Sequence, residues 1–179
     1  MARVFRSLGL CLAFAALAGG CVISKNPLLG PGDRAVPFAS GTAFEIHERD
    51  AAAAPWKKSD ETVTLVAGAD KAVRELKQSG KPADDYYTFH PLGPGRFLMQ
   101  ARFGPERYAY GVLEVRAGEG VFTAFQCKTI DQAAFRSAGG AVTADDCVLD
   151  GVADAPAYLR RLAGDPTGAQ VKYVPVRKP

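Results

Sequence analysis

The sequence predicts an α+β domain, mainly an antiparallel β-meander of seven or eight strands, with two short helices near the C-terminus. Three observations lead there. Between residues 86 and 128, short aromatic and β-branched runs are separated by three glycine-bounded turns, the pattern of consecutive hairpins. After Cys127 the alternation gives way to capped segments of helical spacing. A chain of 179 residues with 47% hydrophobic and 23% charged residues has the size and composition of one globular domain, and its 19 glycines and 12 prolines supply many turns.

Taken in order, strands are expected over residues 42–48 and 61–67. Residues 70–78 admit two readings. Asp70 caps a short helix through Leu76, or Gly68-Ala69-Asp70 turns into a further strand, which continues the meander and is preferred. A strand over 86–92 ends at Gly93-Pro94-Gly95. The next, over 96–103, puts Phe97, Met99, Ala101 and Phe103 on one face and Gln100 and Arg102 on the other. Gly104-Pro105-Glu106 breaks it. Strands over 108–116 and 121–128 follow, joined through Gly118-Glu119-Gly120. Thr129-Ile130-Asp131-Gln132 has the form of a capping box and opens a helix over 131–138 that stops at Gly139-Gly140. A second helix starts at Asp154, carries Pro156 in its first turn and Tyr158 and Leu162 on one face, and stops at Gly164. Residues 171–176 form the last strand, and Pro175 suggests a sheet edge. Eight strands are enough to curl towards a barrel around one small ligand.

The N-terminus reads as an export signal. Arg3 and Arg6 precede an uncharged, mostly apolar run over residues 8–18, shorter than the roughly 20 residues a spanning helix needs. Small residues follow as Ala18-Gly19-Gly20-Cys21. This segment resembles the bacterial lipoprotein signal with its lipobox, although Leu17 stands four residues before the cysteine and Ala18 holds the usual leucine place. The resemblance covers residues 1–21 and implies cleavage before Cys21, diacylglycerol on its thiol and acylation of its new amine. A lipid bilayer is then a partner through acylated Cys21. Val22, where aspartate marks inner-membrane retention, implies the outer membrane facing the periplasm in a Gram-negative cell. The rival reading is an ordinary secretory signal, cut after Ala16-Leu17-Ala18 to release a soluble protein. The organisation expected is a signal over residues 1–20, a lipidated cysteine and extended tether over 21–40, and one globular domain over 41–179. Three prolines and two glycines over 22–40 suit a tether, and Leu28, Leu29 and Phe38 are able to dock on the domain.

Of four cysteines, Cys11 lies in the signal and Cys21 takes the lipid. Cys127 and Cys147 remain for an oxidising compartment, and a disulfide between them is expected to contribute about 3 kcal/mol. With only His47 and His90 to add, no metal site is expected, and no cofactor. His47 lies in the strand of Phe44 and Ile46 and is expected to face solvent; His90 precedes a proline at a strand end. There is no G-x-S-x-G elbow, so no catalytic residue is assigned. Asp84-Asp85 and Asp145-Asp146 are adjacent pairs suited to turns. A calcium-loop match from Asp146 fails at Val148 and Ala157. The formal charge of +3 falls to +1 without Arg3 and Arg6, which gives no electrostatic reason to bind nucleic acid.

The remaining lead is aromatic. Tyr108 and Tyr110 share a face, and together with Trp56 they form the candidate surface for a ligand or partner. The function expected is that of a non-enzymatic, membrane-anchored envelope lipoprotein binding another envelope component, with a protein the preferred partner. The alternatives are a lipocalin-like carrier of a small apolar ligand and an envelope hydrolase using a histidine.

Overall fold

The meander closes on itself. A computed structural model describes residues 20–77, 79–144 and 146–176. The strands are β1 (Val22–Ser24), β2 (Thr42–Arg49), β3 (Lys57–Ala67), β4 (Val73–Glu75), β5 (Tyr86–Gly93), β6 (Arg96–Arg102), β7 (Tyr108–Arg116), β8 (Glu119–Ala124), β9 (Ala141–Val142), β10 (Cys147–Val148) and β11 (Gln170–Pro175). Hydrogen bonding runs β6-β5-β4-β3-β2-β11-β8-β7, and the β6–β7 pairing joins the two ends. Eight antiparallel strands therefore make a closed barrel, the number that leaves an interior just wide enough for side chains.

The α+β expectation is corrected to a β-barrel with two short helices outside it. Closure depends on β11, which pairs with β2 over its whole length and with β8 from Gln170 to Tyr173. Strand β11 is consequently no edge. Pro175 fits because it stands opposite Phe44, beyond the last β8 pair, where its missing N–H interrupts no ladder. The ambiguous segment forms β4, a short strand with three pairs to β3 and a single Val73↔Tyr87 pair to β5.

Two cores lie on opposite sides of the sheet. Inside the barrel, Phe44, Ile46, Val63, Leu65, Tyr87, Phe89, Met99, Leu113, Phe122 and Tyr173 pack together. At Gly111 a Cβ would come within 2.4 Å of both the Phe122 ring and the Thr123 carbonyl, so only glycine lets that ring lie on β7. Outside, Leu98, Tyr110 and Val112 meet Val22, Leu29, Phe135, Leu149 and Leu159. Strand β7 is therefore buried on both faces.

The outer layer contains helix α1 (Gln132–Ser137) and helix α2 (Ala155–Leu162). Asp131, not Thr129, caps α1 by accepting from the N–H groups of Ala133 and Ala134. Thr129 ends a 3-10 turn (Cys127–Thr129), and its hydroxyl lies 3.0 Å from the Gln126 carbonyl and 2.9 Å from the Thr167 carbonyl, either of which can accept its proton. Asp154 caps α2 through the Ala157 N–H, and Tyr158 packs against Phe135 at 5.5 Å between ring centroids. The expected Cys127–Cys147 disulfide is present, with Cα atoms 5.1 Å apart. Among the described residues no helix is long and apolar enough to cross a membrane.

Residues 22–40, expected as a tether, instead form an arm bound along the barrel. Strand β1 pairs antiparallel with β7 and parallel with β10. Leu29 is buried, Ala35 donates its N–H to the Phe89 carbonyl at 2.8 Å, and Phe38 packs against Phe44 at 4.8 Å.

Candidate functional sites on the arm and in the barrel

The arm meets the barrel at three places, and the first is its N-terminal end at residues 20 and 21. Cys21 leads into β1, where its N–H donates to Asp146 Oδ1 at 2.8 Å. The backbone there is held from both sides: Cys127 N–H donates to the Gly20 carbonyl and Cys147 N–H to the Cys21 carbonyl. The two bridged cysteines thus grip the chain at residues 20 and 21. Residue 21 is only 7% exposed. Burial, with Asp146 nearby, pushes its thiol up to about 11, so in the folded protein it is protonated and a poor nucleophile at neutral pH. Arg107 neutralises the other Asp146 oxygen at 3.0 Å. The segment read from sequence as an export signal, with Arg3, Arg6 and Cys11, lies outside the described residues.

The second place is a chain of polar side chains between the arm and the outer face of β5–β7, buried except at its exposed end, Asp33. His90 Nδ1 stands 2.7 Å from Asp33 Oδ1. Opposite a carboxylate that nitrogen carries the proton, which leaves Nε2 to accept from the Thr88 hydroxyl at 3.1 Å. The Gln100 amide nitrogen faces the Thr88 oxygen at 3.4 Å, and its carbonyl oxygen accepts from the N–H groups of Leu28 and Leu29. Ser24 donates to the Asn26 carbonyl, so the Tyr110 hydroxyl donates to Ser24 Oγ at 2.6 Å. The hydrogen bond from His90 is the largest influence holding the Asp33 carboxyl below its usual range, whereas burial lowers His90 itself despite Asp33. Arg160 adds a longer contact to Asp33 at 3.6 Å.

Asp33, His90 and Thr88 stand in the order of an acid–base–nucleophile relay. Exposure decides against chemistry there: Thr88 is 0% and His90 1% exposed, so no substrate carbonyl reaches the hydroxyl. The array clasps the arm to the barrel. Nothing in the sequence marked Asp33 as the partner of His90, because 57 positions separate them and Asp33 lies in the segment read as tether.

The third place is the end of the barrel where Phe38 sits over the interior. Behind it, Leu65, Tyr87, Phe89, Met99, Leu113 and Tyr173 surround a void of about 10 Å³. That is no more than one water.

The aromatic surface expected from sequence is not a surface. Tyr108 and Tyr110 are 7% and 1% exposed, because β1 and the outer layer cover the side of β7 they share. Trp56 is half-buried beneath the Arg49 guanidinium, 4.2 Å from its ring centroid, far along the chain from both tyrosines. His47 is partly exposed and 4.0 Å from Glu45. Asp84 is exposed beside Lys77, Asp85 accepts from the Gly104 N–H, and Asp145 lies outside the described residues. Among the described residues no group of three or more His, Cys, Asp or Glu side chains could hold a metal ion. Comparison with known proteins finds no matching family model, no matching curated protein and no matching solved structure.

Proposed function

We propose that the protein is a lipid-anchored, non-enzymatic component of the bacterial envelope that holds a rigid barrel against the membrane for an envelope partner. The observation that supports this most is the grip on Cys21, whose N–H donates to Asp146 Oδ1 and whose carbonyl accepts from the Cys147 N–H. Two or three acyl chains on Cys21 give firm anchoring. With no slack after that residue, they hold the barrel flush with the bilayer instead of on a leash. An acylated nitrogen keeps one N–H, so the bond to Asp146 survives modification. The enclosed thiol requires lipid attachment before the domain folds.

The test is fractionation and cross-linking in intact cells. Wild-type protein sediments with membranes and yields a reproducible cross-linked envelope protein, while Cys21→Ser is released and loses that product. A wild-type protein that stays soluble, or membrane-bound protein giving no reproducible product, contradicts the reading.

A lipocalin-like carrier is the second reading, supported by the closed eight-strand ring. The interior void of about 10 Å³ lies far below the roughly 300 Å³ of ordinary ligand sites, so an apolar cargo would have to displace Phe38. Native mass spectrometry of gently purified protein checks this: a bound apolar adduct supports it, and bare protein under every extraction condition removes it.

A further inference from the structure

The outer layer contains an open cleft. It lies between the residues that lead into α1 and the C-terminal end of α2, and it holds about 210 Å³, against about 10 Å³ inside the barrel. Its floor is apolar. Phe125 is buried there, while Ile130 and Leu162 pack against the outer core and stay half-buried. The walls are held by contacts of their own. The Thr129 hydroxyl on one side is 2.9 Å from the Thr167 carbonyl on the other, and the Phe135 and Tyr158 rings join α1 to α2. The cleft thus keeps its shape without a ligand. Its volume lies below the roughly 300 Å³ of drug-sized sites and suits a compact molecule.

The rim carries charges that the fold leaves unpaired. The Arg161 guanidinium lies over the Tyr158 ring, 4.6 Å from its centroid, an attraction that holds it in place. Among the described residues it forms no ion pair, whereas the preceding Arg160 reaches Asp33. Asp165 lines the same cleft four positions later and has no cationic partner among the described residues either. Two opposite charges therefore border one cavity without meeting. Asp131, also on the rim, gives Oδ1 to the N–H groups of Ala133 and Ala134, which leaves Oδ2 able to accept.

We propose that this cleft binds a free α-amino acid with an aliphatic side chain. The carboxylate lies against Arg161, the ammonium between Asp165 and Asp131 Oδ2, and the side chain on Phe125, Ile130 and Leu162. The lining selects the class. A guanidinium offers paired N–H donors to a carboxylate, and an ammonium has three donors for carboxylate oxygens. A simple anion would leave the acids unanswered, and a simple cation would leave Arg161 unanswered. A zwitterion answers both. Arg161 and Asp165 are exposed, and exposed ion pairs each contribute little, so the affinity is modest and needs all three contacts. The inference goes beyond the lipid anchor and does not depend on it.

Calorimetric titration of the purified full chain with L-leucine at neutral pH and low salt tests it. The comparison titrants are 4-methylpentanoate, which lacks the ammonium, 3-methylbutylamine, which lacks the carboxylate, and glycine, which lacks the side chain. Leucine is expected to bind saturably and each of the others about fivefold more weakly or worse, the upper range for one exposed ion pair. Arg161→Gln is expected to weaken leucine about fivefold while leaving 3-methylbutylamine unchanged. Asp165→Asn is expected to weaken leucine several-fold while leaving 4-methylpentanoate unchanged. Thermal melting confirms that each variant folds; should either not fold, the analogue series on the parent decides alone. Absence of saturable leucine binding, an analogue that binds as tightly as leucine, or unchanged leucine affinity in the folded variants overturns the inference.

Discussion

At Glu75 the account makes a prediction about one atom. Replacing its carboxylate by an amide removes a charge that burial and Glu61 both disfavour, while keeping a group that can accept from Tyr87. Relief of unfavourable charge commonly contributes about 0.5–2 kcal/mol, and about 1 kcal/mol moves the midpoint of a domain this size by roughly 2–4 °C. Glu75→Gln is therefore expected to melt higher than the parent, as differential scanning calorimetry would record; a lower midpoint means that the carboxylate is structural. Residues differ in how plainly the sequence announced them. Cys127 and Cys147 were legible because arithmetic left only that pair. Tyr108 and Tyr110 were correctly placed on one face but wrongly left uncovered, since the arm that covers them was read as tether. The inward turn of Glu48 and Glu75 was overlooked, although the alternation with Ile46 and Val73 carried the signal.

Among the elements, the arm is the one whose attachment depends on pH. His90 lies below its ordinary value in the folded protein, so the unfolded chain binds the proton first as pH falls. The stability tied to that imidazole is complete above about pH 6.5 and declines below it. Asp33 is lowered as well, so its share is present above about pH 3.9 and is lost only at lower pH. Glu48 and Glu75 are raised and act in the opposite sense, which mixes the two effects in any global melting curve. Amide exchange isolates the arm: between pH 7.5 and 5.5, corrected for intrinsic rates, protection at Leu28 and Leu29 is expected to fall several-fold, and Gln100→Leu to remove most of it at either pH. Unchanged protection contradicts the clasp. The disulfide acts on the neighbouring elements. With 20 positions between its cysteines, the paired Cys127→Ser, Cys147→Ser variant should lose about 3 kcal/mol in urea unfolding, with β1 and β10 the first strands to exchange. The four-strand meander was readable because glycine turns bound it. Strands β1, β9 and β10 were not, being two or three residues long and set by partners far along the chain.

Considered as a whole molecule, the barrel is closed by contacts that no local pattern encodes. Strands β2 to β8 follow one another, so their order was available from turn spacing; the return of β11 between β8 and β2 was not, and Pro175 argued for an edge. The same holds for the stopper. Phe38 comes from a proline-rich segment, yet a Cβ at Gly120 would meet its ring at 2.6 Å, and Phe44 and Tyr173 flank it at 4.8 and 6.2 Å. A fully buried phenylalanine loses about 3–5 kcal/mol on truncation to alanine, and Phe38, being half-buried, should lose about 2 kcal/mol. Phe38→Ala is expected to unfold at lower urea and to take up an apolar fluorescent dye through the opened end. Parental stability and no dye uptake would show that the ring merely rests on the rim.

The arm's position relative to a membrane rests on what is attached to Cys21, and intact mass spectrometry of protein extracted from its native cells reads this most directly. The account predicts a chain beginning at Cys21 and heavier than its sequence by a diacylglyceryl group and an amide-linked acyl chain, with the Cys21→Ser protein lacking both. An unmodified chain beginning at Gly19 in the soluble fraction would contradict it.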